Sequence, residues 1–167
     1  ATGNAIMASV KINGTTLINN AAKEPEIESL CNFLVKMGAN IIGIGTSKLI
    51  IKGTTKLHAD IEYTIIPDRI EAGTFLIAAA STLGDITINN VNPNHLRILL
   101  NKLRDSGFKL SINNDFIRIF SINKTINPVD IDTGIYPEFP TDLQAQWMAL
   151  MIKSGGHSSV TEKIYKD

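Results

Sequence analysis

The sequence predicts an α+β fold made of repeated strand–helix units, in which mixed sheets surround apolar helices. Two observations carry this prediction. The sequence repeats itself with a fixed period, which indicates one supersecondary unit used several times. Helical and strand patterns also alternate along the chain. With 167 residues, of which 44% are hydrophobic, the chain is large enough for one ordinary domain or two small ones.

The repeat is visible when the segment from Gly14 is set beside the segment from Gly84. Both contain a strand that ends in Ile-Asn-Asn, a loop with proline, an amphipathic helix, and a glycine before a new strand. Ile18 recurs as Ile88, seventy positions later, and a third copy begins at Gly156 with GHSSVTEKIYKD. The cycle predicted is helix, strand, helix, then three strands.

The first amphipathic helix is predicted from apolar residues at i, i+3, i+4 and i+7, which form one face: Ile27, Leu30, Cys31 and Leu34. Pro25 suits its first turn, and Gly38 suits the left-handed position after its end. Two strands follow, ANIIGI and KLIIKG. In the second copy the strands are FKLSI and FIRIF, joined at Asn113-Asn114, where the tolerance of asparagine for positive φ predicts a tight hairpin.

The last strands of the cycle, IEYTII and VDIDT, lead to two apolar helices introduced by proline and aspartate: IIPDRIEAGTFLIAAA and EFPTDLQAQWMAL. The opening segment ATGNAIMASVKING is predicted to be the tail of the same kind of helix. The chain stops twelve residues into the third copy. We therefore expect a fragment of a larger protein, truncated at both ends.

The composition limits the kinds of partner that we expect for this chain. Sixteen basic and sixteen acidic residues give a net charge of zero, so we expect no nucleic acid or anionic membrane as a partner. The longest apolar runs are too short to span a bilayer, and no leader is predicted. The single cysteine, Cys31, is predicted to be a buried structural thiol in a cytoplasmic protein. His58, His95 and His157 lack ligand spacing, so no metal site is predicted.

Three segments resemble signature stretches of one family: NAAKEPEIESLCNFLVKMGANI, IIPDRIEAGTFLIAAA and EFPTDLQAQWMAL. The family is that of the UDP-N-acetylglucosamine enolpyruvyl transferases (1-carboxyvinyltransferases), and the resemblance covers essentially the whole chain. It implies transfer of the enolpyruvyl group of phosphoenolpyruvate to the 3′-hydroxyl of UDP-N-acetylglucosamine, without a metal or organic cofactor. This reaction is the first committed step of peptidoglycan synthesis, in the cytoplasm, and it serves cell-wall biogenesis, cell shape and cell division.

The resemblance also implies an architecture. The family builds two domains, each from three strand–helix units. Residues 1–66 would be the last unit of one domain, and residues 67–167 the first one-and-a-half units of the other. The family's proton-donating loop and several substrate-binding arginines would lie outside this chain, so we expect no turnover by these 167 residues alone. Uncovered apolar faces and strand edges predict self-association of the fragment.

The resemblance gives Asp142 a role as general base at the sugar 3′-hydroxyl, and thus also as a substrate-binding residue. From the residues alone, a carboxylate in the first helical turn is favoured by the helix dipole, and Thr141 could cap the helix. Ile164 is expected to contact the nucleotide sugar through its backbone and apolar side chain. Glu24 and Asp68 are candidates for the cleft between domains, although either could be a helix-start acid.

Two alternatives remain open at this point. One is the related enzyme of aromatic amino-acid synthesis, which acts on shikimate 3-phosphate. The segments PTDLQAQ and PDRIE favour the nucleotide-sugar enzyme over it. The other is a repeat domain with a binding or structural role and no catalysis.

Overall fold

A computed structural model describes residues 1–165 of the chain, so the last two residues of the predicted segment 67–167 lie outside the described residues. The chain divides into two compact units at the bond between Ile66 and Pro67. Each unit has a hydrophobic core of its own. That the first unit closes one domain and the second opens another stays a prediction.

The first unit is a three-stranded antiparallel sheet with two helices. The strand order is β1-β3-β2, and Thr15 pairs with Lys52 at one end of the β1–β3 ladder. The core is formed mainly by apolar side chains from both helices and from the inner face of the sheet. The elements are α1 (Thr2–Ser9), β1 (Thr15–Asn19), α2 (Pro25–Lys36), β2 (Asn40–Ile42) and β3 (Lys48–Lys52).

The predictions for helix α2 are confirmed. Pro25 occupies its first turn, where the missing N–H costs no hydrogen bond. Gly38 follows its end with φ 103°, and the Ala39 amide then donates to the Leu34 carbonyl at 2.9 Å. Cys31 is fully buried on the inner face, and burial, with the nearby Glu28 carboxylate, raises the pKa of its thiol.

The strand predicted over IEYTII is wrong. Residues 61–66 run without regular secondary structure. Side-chain contacts hold this segment in place of a backbone ladder. The Tyr63 hydroxyl donates to the Ser29 carbonyl at 2.9 Å, and its ring meets Phe33 edge-on with 5.3 Å between centroids. The matching segment of the second unit is a strand because a third-copy strand pairs with it.

The second unit contains one complete copy of the cycle and the start of another. Its three-stranded sheet has the order β4-β6-β5 and is antiparallel, whereas β7 and β8 pair in parallel. Short 3-10 turns at Pro93–Leu96 and Thr141–Leu143 precede two of its helices. The elements are α3 (Arg69–Ser81), β4 (Ile86–Asn89), α4 (Arg97–Asp105), β5 (Lys109–Ile112), β6 (Phe116–Phe120), β7 (Ile131–Asp132), α5 (Gln144–Met151) and β8 (Val160–Thr161).

The internal repeat is confirmed by topology, because β1-β3-β2 and β4-β6-β5 are the same arrangement. The backbone repeats as well: Asn20 and Asn90 both adopt positive φ, at 55° and 54°. The predicted hairpin between β5 and β6 is present. The positive φ expected at Asn113 and Asn114 is a wrong prediction, because neither residue adopts it. The tip of the hairpin is instead closed by the Asn113 amide, which donates to the Phe116 carbonyl at 3.1 Å.

The apolar helices α3 and α5 pack against each other at the centre of the second unit. Gly73 permits the contact, since a Cβ at this position would lie 2.6 Å from the Leu143 side chain. The helix predicted at the start of the chain is confirmed as α1. No helix among the described residues has the length and apolar character needed to cross a membrane.

Candidate substrate site at the start of helix α5

Asp142 lies in the 3-10 turn Thr141–Leu143, immediately before α5. Its side chain is exposed, and within residues 1–165 its carboxylate has no hydrogen-bond or ion-pair partner. It therefore does not cap the helix that it introduces. The carboxylate is available to a ligand.

The frame that carries Asp142 is rigid. The next residue, Leu143, is fully buried against α3. One turn later, Trp147 is also fully buried, and its indole N–H donates to the Val129 carbonyl at 3.3 Å. The Trp147 ring meets Phe139 edge-on at 5.6 Å, in the loop that leads to Pro140. These contacts fix both ends of the segment that presents the carboxylate.

Thr141 does not cap the helix, which was one possibility left open by the sequence. Pro140 is the N-cap of the 3-10 turn and Leu143 that of α5, and neither side chain bonds to a helix amide. The Thr141 hydroxyl instead donates to Glu162 Oε2 at 2.8 Å. An ionised carboxylate is a stronger acceptor than a neutral group, and with its hydroxyl directed at Glu162 the Thr141 side chain accepts no helix amide.

Glu162 follows strand β8 and is half-buried. Its Oε1 accepts the Ile164 amide at 2.6 Å and the Tyr165 amide at 3.1 Å. Burial alone raises the pKa of Glu162, but hydrogen bonds from the Thr141 hydroxyl and from two backbone amides outweigh it and lower the pKa from 4.5 to about 2. Sequence reasoning missed Glu162. The available signal was an acidic residue directly after a strand of the repeat.

Ile164 is thus placed beside the turn that carries Asp142, because Glu162 binds both segments. Its side chain is 36% exposed. Its amide is committed to Glu162, so the contact expected of Ile164 falls to its side chain and its carbonyl. The structure brings these two predicted residues into one region of the second unit.

Asp68 has the structural role that the sequence left open for it, that of an acid at the start of a helix. It is the N-cap of α3, and its Oδ1 accepts the Ile70 amide at 2.7 Å and the Glu71 amide at 3.1 Å. The neighbouring Arg69 is buried, with its guanidinium 5.4 Å from the centre of the Tyr136 ring. Helix α3, which Asp68 caps, packs on the turn before α5.

Glu24 occupies the N-cap position of α2 but makes no side-chain cap bond. One of its carboxylate oxygens is buried without a hydrogen-bond partner among the described residues. Such an oxygen is costly unless something binds it, which fits a functional group better than a helix cap. Glu24 belongs to the first unit and remains a separate candidate.

The second unit also has an open pocket of about 650 Å³ that sequence reasoning did not predict. It lies next to the start of α3. Five of its ten lining residues are asparagines, and the lining consists of Pro67, Asn90–Asn94 and Ile112–Asp115. In the described part of the chain, no three histidine, cysteine, aspartate or glutamate side chains cluster as metal ligands would.

The chain is similar to known proteins over nearly its whole length. The family model of EPSP synthase (3-phosphoshikimate 1-carboxyvinyltransferase) matches residues 1–166. The chain belongs to this family. Two relatives, from Chlorobium chlorochromatii and Chlorobaculum parvum, are UDP-N-acetylglucosamine 1-carboxyvinyltransferases, each 51% identical over 100% and 99% of this chain. The resemblance predicted from the three signature segments is confirmed.

The same relatives are longer proteins. The chain spans 39% and 38% of their respective lengths. Among solved structures, the enolpyruvyl transferase NikO from Streptomyces tendae superposes with a TM-score of 0.80 at 22% identity, over 95% of this chain and 38% of that one. The predicted enolpyruvyl-transferase-like fold of strand–helix units is confirmed.

Proposed function

We propose that this chain forms part of an enzyme that transfers the enolpyruvyl group of phosphoenolpyruvate to the 3′-hydroxyl of UDP-N-acetylglucosamine, with release of phosphate. Asp142 is the general base at that hydroxyl, and Ile164 contacts the nucleotide sugar. The names of the relatives at 51% identity support the substrates. The carboxylate of Asp142, exposed on a rigid frame and without a partner among residues 1–165, carries the assignment of the base.

The chemistry is an addition followed by an elimination. Protonation of the vinyl methylene makes the adjacent carbon cationic, and the sugar oxygen attacks it to give a tetrahedral product. Phosphate then leaves, and loss of a proton from the methyl group formed in the first step restores the carbon–carbon double bond. A carboxylate is too weak a base to deprotonate an alcohol outright, so proton transfer to Asp142 has to accompany the attack. Freedom from structural hydrogen bonds suits this task, since each such bond would make the carboxylate a poorer acceptor.

The location and pathway follow from the same proposal. The enzyme acts in the cytoplasm in peptidoglycan synthesis and thereby in cell-wall biogenesis, cell shape and cell division. The transferase of shikimate 3-phosphate is the second candidate, because the family model takes its name from it. Identity to the nucleotide-sugar enzymes over the whole chain favours the first.

Replacement of Asp142 by Asn in the full-length protein tests the role of the base. Asn keeps the size of the side chain but cannot take a proton. We expect kcat to fall by about 10²–10⁴, which corresponds to roughly 3–5 kcal/mol of barrier. Tm should stay unchanged, because the carboxylate has no partner within the described residues.

A control is Asp85→Asn, which removes the charge of an exposed aspartate in the loop before β4 that pairs with Arg118. It should leave kcat unchanged. Normal turnover by Asp142→Asn would remove Asp142 from the mechanism. Activity of the parent enzyme with shikimate 3-phosphate and not with the nucleotide sugar would overturn the choice of substrate.

A further inference from the structure

We propose that Glu162 is a positioning residue, which holds the turn of Asp142 and the segment of Ile164 in the geometry that the nucleotide sugar requires. This inference rests on the proposed function. Glu162 binds both segments at once: Oε2 receives the Thr141 hydroxyl, and Oε1 receives the amides of Ile164 and Tyr165.

The two segments are separate in sequence, and Glu162 joins them. Thr141 is adjacent to Asp142, so the bond from its hydroxyl at 2.8 Å fixes the 3-10 turn that aims the carboxylate. Twenty-three residues after Thr141, the amide of Ile164 is fixed at 2.6 Å by the same carboxylate. Charge-assisted bonds of this kind are short and strong, and they suit a role in fixing geometry.

The pairing of strands supports this connection. β7 and β8 run in parallel, with Ile131 opposite Val160. Directly after them, the buried Thr133 hydroxyl accepts the Lys163 amide at 2.9 Å. Glu162 is therefore held between a fixed strand end and the turn before α5. A displacement of its carboxylate would be passed to both segments.

The other charged groups on these elements are Asp132, Glu138, Asp142 and Lys163. Lys163 forms an exposed ion pair with Asp132 at 2.7 Å, and Glu138 lies in the loop that leads to the turn. Asp142 has no partner within the described residues. Glu162 is thus the one carboxylate among Asp132, Glu138, Asp142 and Glu162 that joins the turn to the segment after β8.

Kinetics of Glu162→Gln in the full-length protein provide the first test. The amide cannot accept bonds at both positions, so the turn and the Ile164 segment lose their common anchor. We expect kcat/KM for the nucleotide sugar to fall by about 10–100-fold, with both a lower kcat and a higher KM. Asp132→Asn, which removes the neighbouring ion pair, should leave both constants unchanged.

A second pair of variants decides the matter if Glu162→Gln does not fold. Thr141→Val removes the hydroxyl donor and should lower kcat, whereas Thr141→Ser keeps the donor and should restore it. Normal kinetics in Glu162→Gln or in Thr141→Val would overturn the proposal, since a structural bond alone would change Tm without changing kcat and KM.

The pH dependence of stability gives a readout that does not depend on activity. The pKa of Glu162 is lower in the folded chain, about 2, than its ordinary value of 4.5. Its ionised form therefore stabilises the fold above pH 4.5, and this stabilisation is lost as the pH falls towards 2. The Tm difference between the parent chain and Glu162→Gln should be full at pH 7 and vanish over that interval.

Amide hydrogen exchange separates a failure of this inference from a failure of the proposed function. If the parent protein shows no transferase activity, the proposed function fails. Protection of the Ile164 and Tyr165 amides that is lost in Glu162→Gln would still support Glu162 as the residue that holds this segment. Unchanged protection would overturn it.

Discussion

Helices α3 and α5 are equivalent elements of the repeat, yet they begin in different ways. Their buried positions correspond at a separation of seventy-four residues, so that Leu76 matches Leu150 and Asp68 matches Asp142. Asp68 caps α3 by accepting two amides. Asp142 precedes α5 inside a 3-10 turn and accepts none within the described residues.

The difference shows how one residue type serves two purposes on one scaffold. At α3, the side chain satisfies helix amides and is thereby occupied. At α5, the 3-10 turn and the bond from Thr141 to Glu162 fix the helix start by other means. The carboxylate of Asp142 consequently makes no structural hydrogen bond within the described residues. Where α3 has a capping carboxylate, the start of α5 has an exposed one, because the contact between Thr141 and Glu162 holds that helix start instead.

The largest expected effect on stability comes from the residue that anchors α5 where α3 has a glycine. Trp147 is fully buried and matches Gly73 in the repeat. Trp147→Ala should cost about 3–5 kcal/mol of unfolding free energy, because a large cavity opens under the turn of Asp142. Urea unfolding measures this cost. It is followed by circular dichroism and not by tryptophan fluorescence, since Trp147 is the only tryptophan in the chain.

Trp147→Phe is the matched variant. It keeps the ring contact with Phe139 and loses the bond to Val129, so its cost should be clearly smaller. A loss of less than about 1 kcal/mol in Trp147→Ala would show that the anchor is elsewhere, because buried tryptophans rarely cost so little.

Local pattern carried most of the fold. The period of the repeat, the apolar face of α2 and the glycine after it predicted elements that the structure confirms, because each depends on residues close in sequence. The failures depended on distant partners. The strand expected at Ile61–Ile66 had to find a neighbour, and the hydroxyl of Thr141 turned to Glu162 in preference to its own helix.

The residues of the candidate site also divide into those that the sequence predicted and one that depends on a distant partner. Asp142 and Ile164 were predicted from the resemblance to a family. Glu162, whose carboxylate joins their two segments, was not predicted, because a hydrogen bond between residues twenty-one positions apart leaves no periodic pattern in the sequence. Glu24 and Asp68 looked alike in sequence, each beside a proline at a helix start. Only the structure separates them, since one caps its helix and the other has a buried oxygen without a partner within the described residues.

A smaller effect is expected from Gly73→Ala, which tests the contact between α3 and the turn before α5. The new Cβ would lie 2.6 Å from the Leu143 side chain, which is fully buried and has little room to move. Overpacking typically costs about 1–3 kcal/mol, and alanine returns about 1 kcal/mol through its helix propensity. We expect a net loss of unfolding free energy.

Gly3→Ala is the control in the corresponding helix of the first unit. Its Cβ would meet side chains at 3.5 Å or more, an ordinary contact distance. It should therefore raise the unfolding free energy by up to about 1 kcal/mol. If Gly73→Ala were equally stabilising, the close approach of α3 to Leu143 would be of no consequence.

The smallest effect isolates the difference between the two aspartates themselves. Replacement by Asn removes the charge and keeps an acceptor oxygen, whereas replacement by Ala removes both. At Asp68, Asn should cap almost as well as Asp, and Ala should cost about 0.5–2 kcal/mol, because the Ile70 and Glu71 amides lose their acceptor. At Asp142, Asn and Ala should be equivalent, each within about 0.5 kcal/mol of the parent chain. Asn and Ala both lack the charge, so any interaction of the aspartate charge with the helix dipole is absent from both variants and cancels when Asn is compared with Ala. Urea unfolding of the four variants measures the two differences. A clear gap between Asn and Ala at Asp142 would mean that its carboxylate caps α5 after all, and the contrast between the two helix starts would disappear.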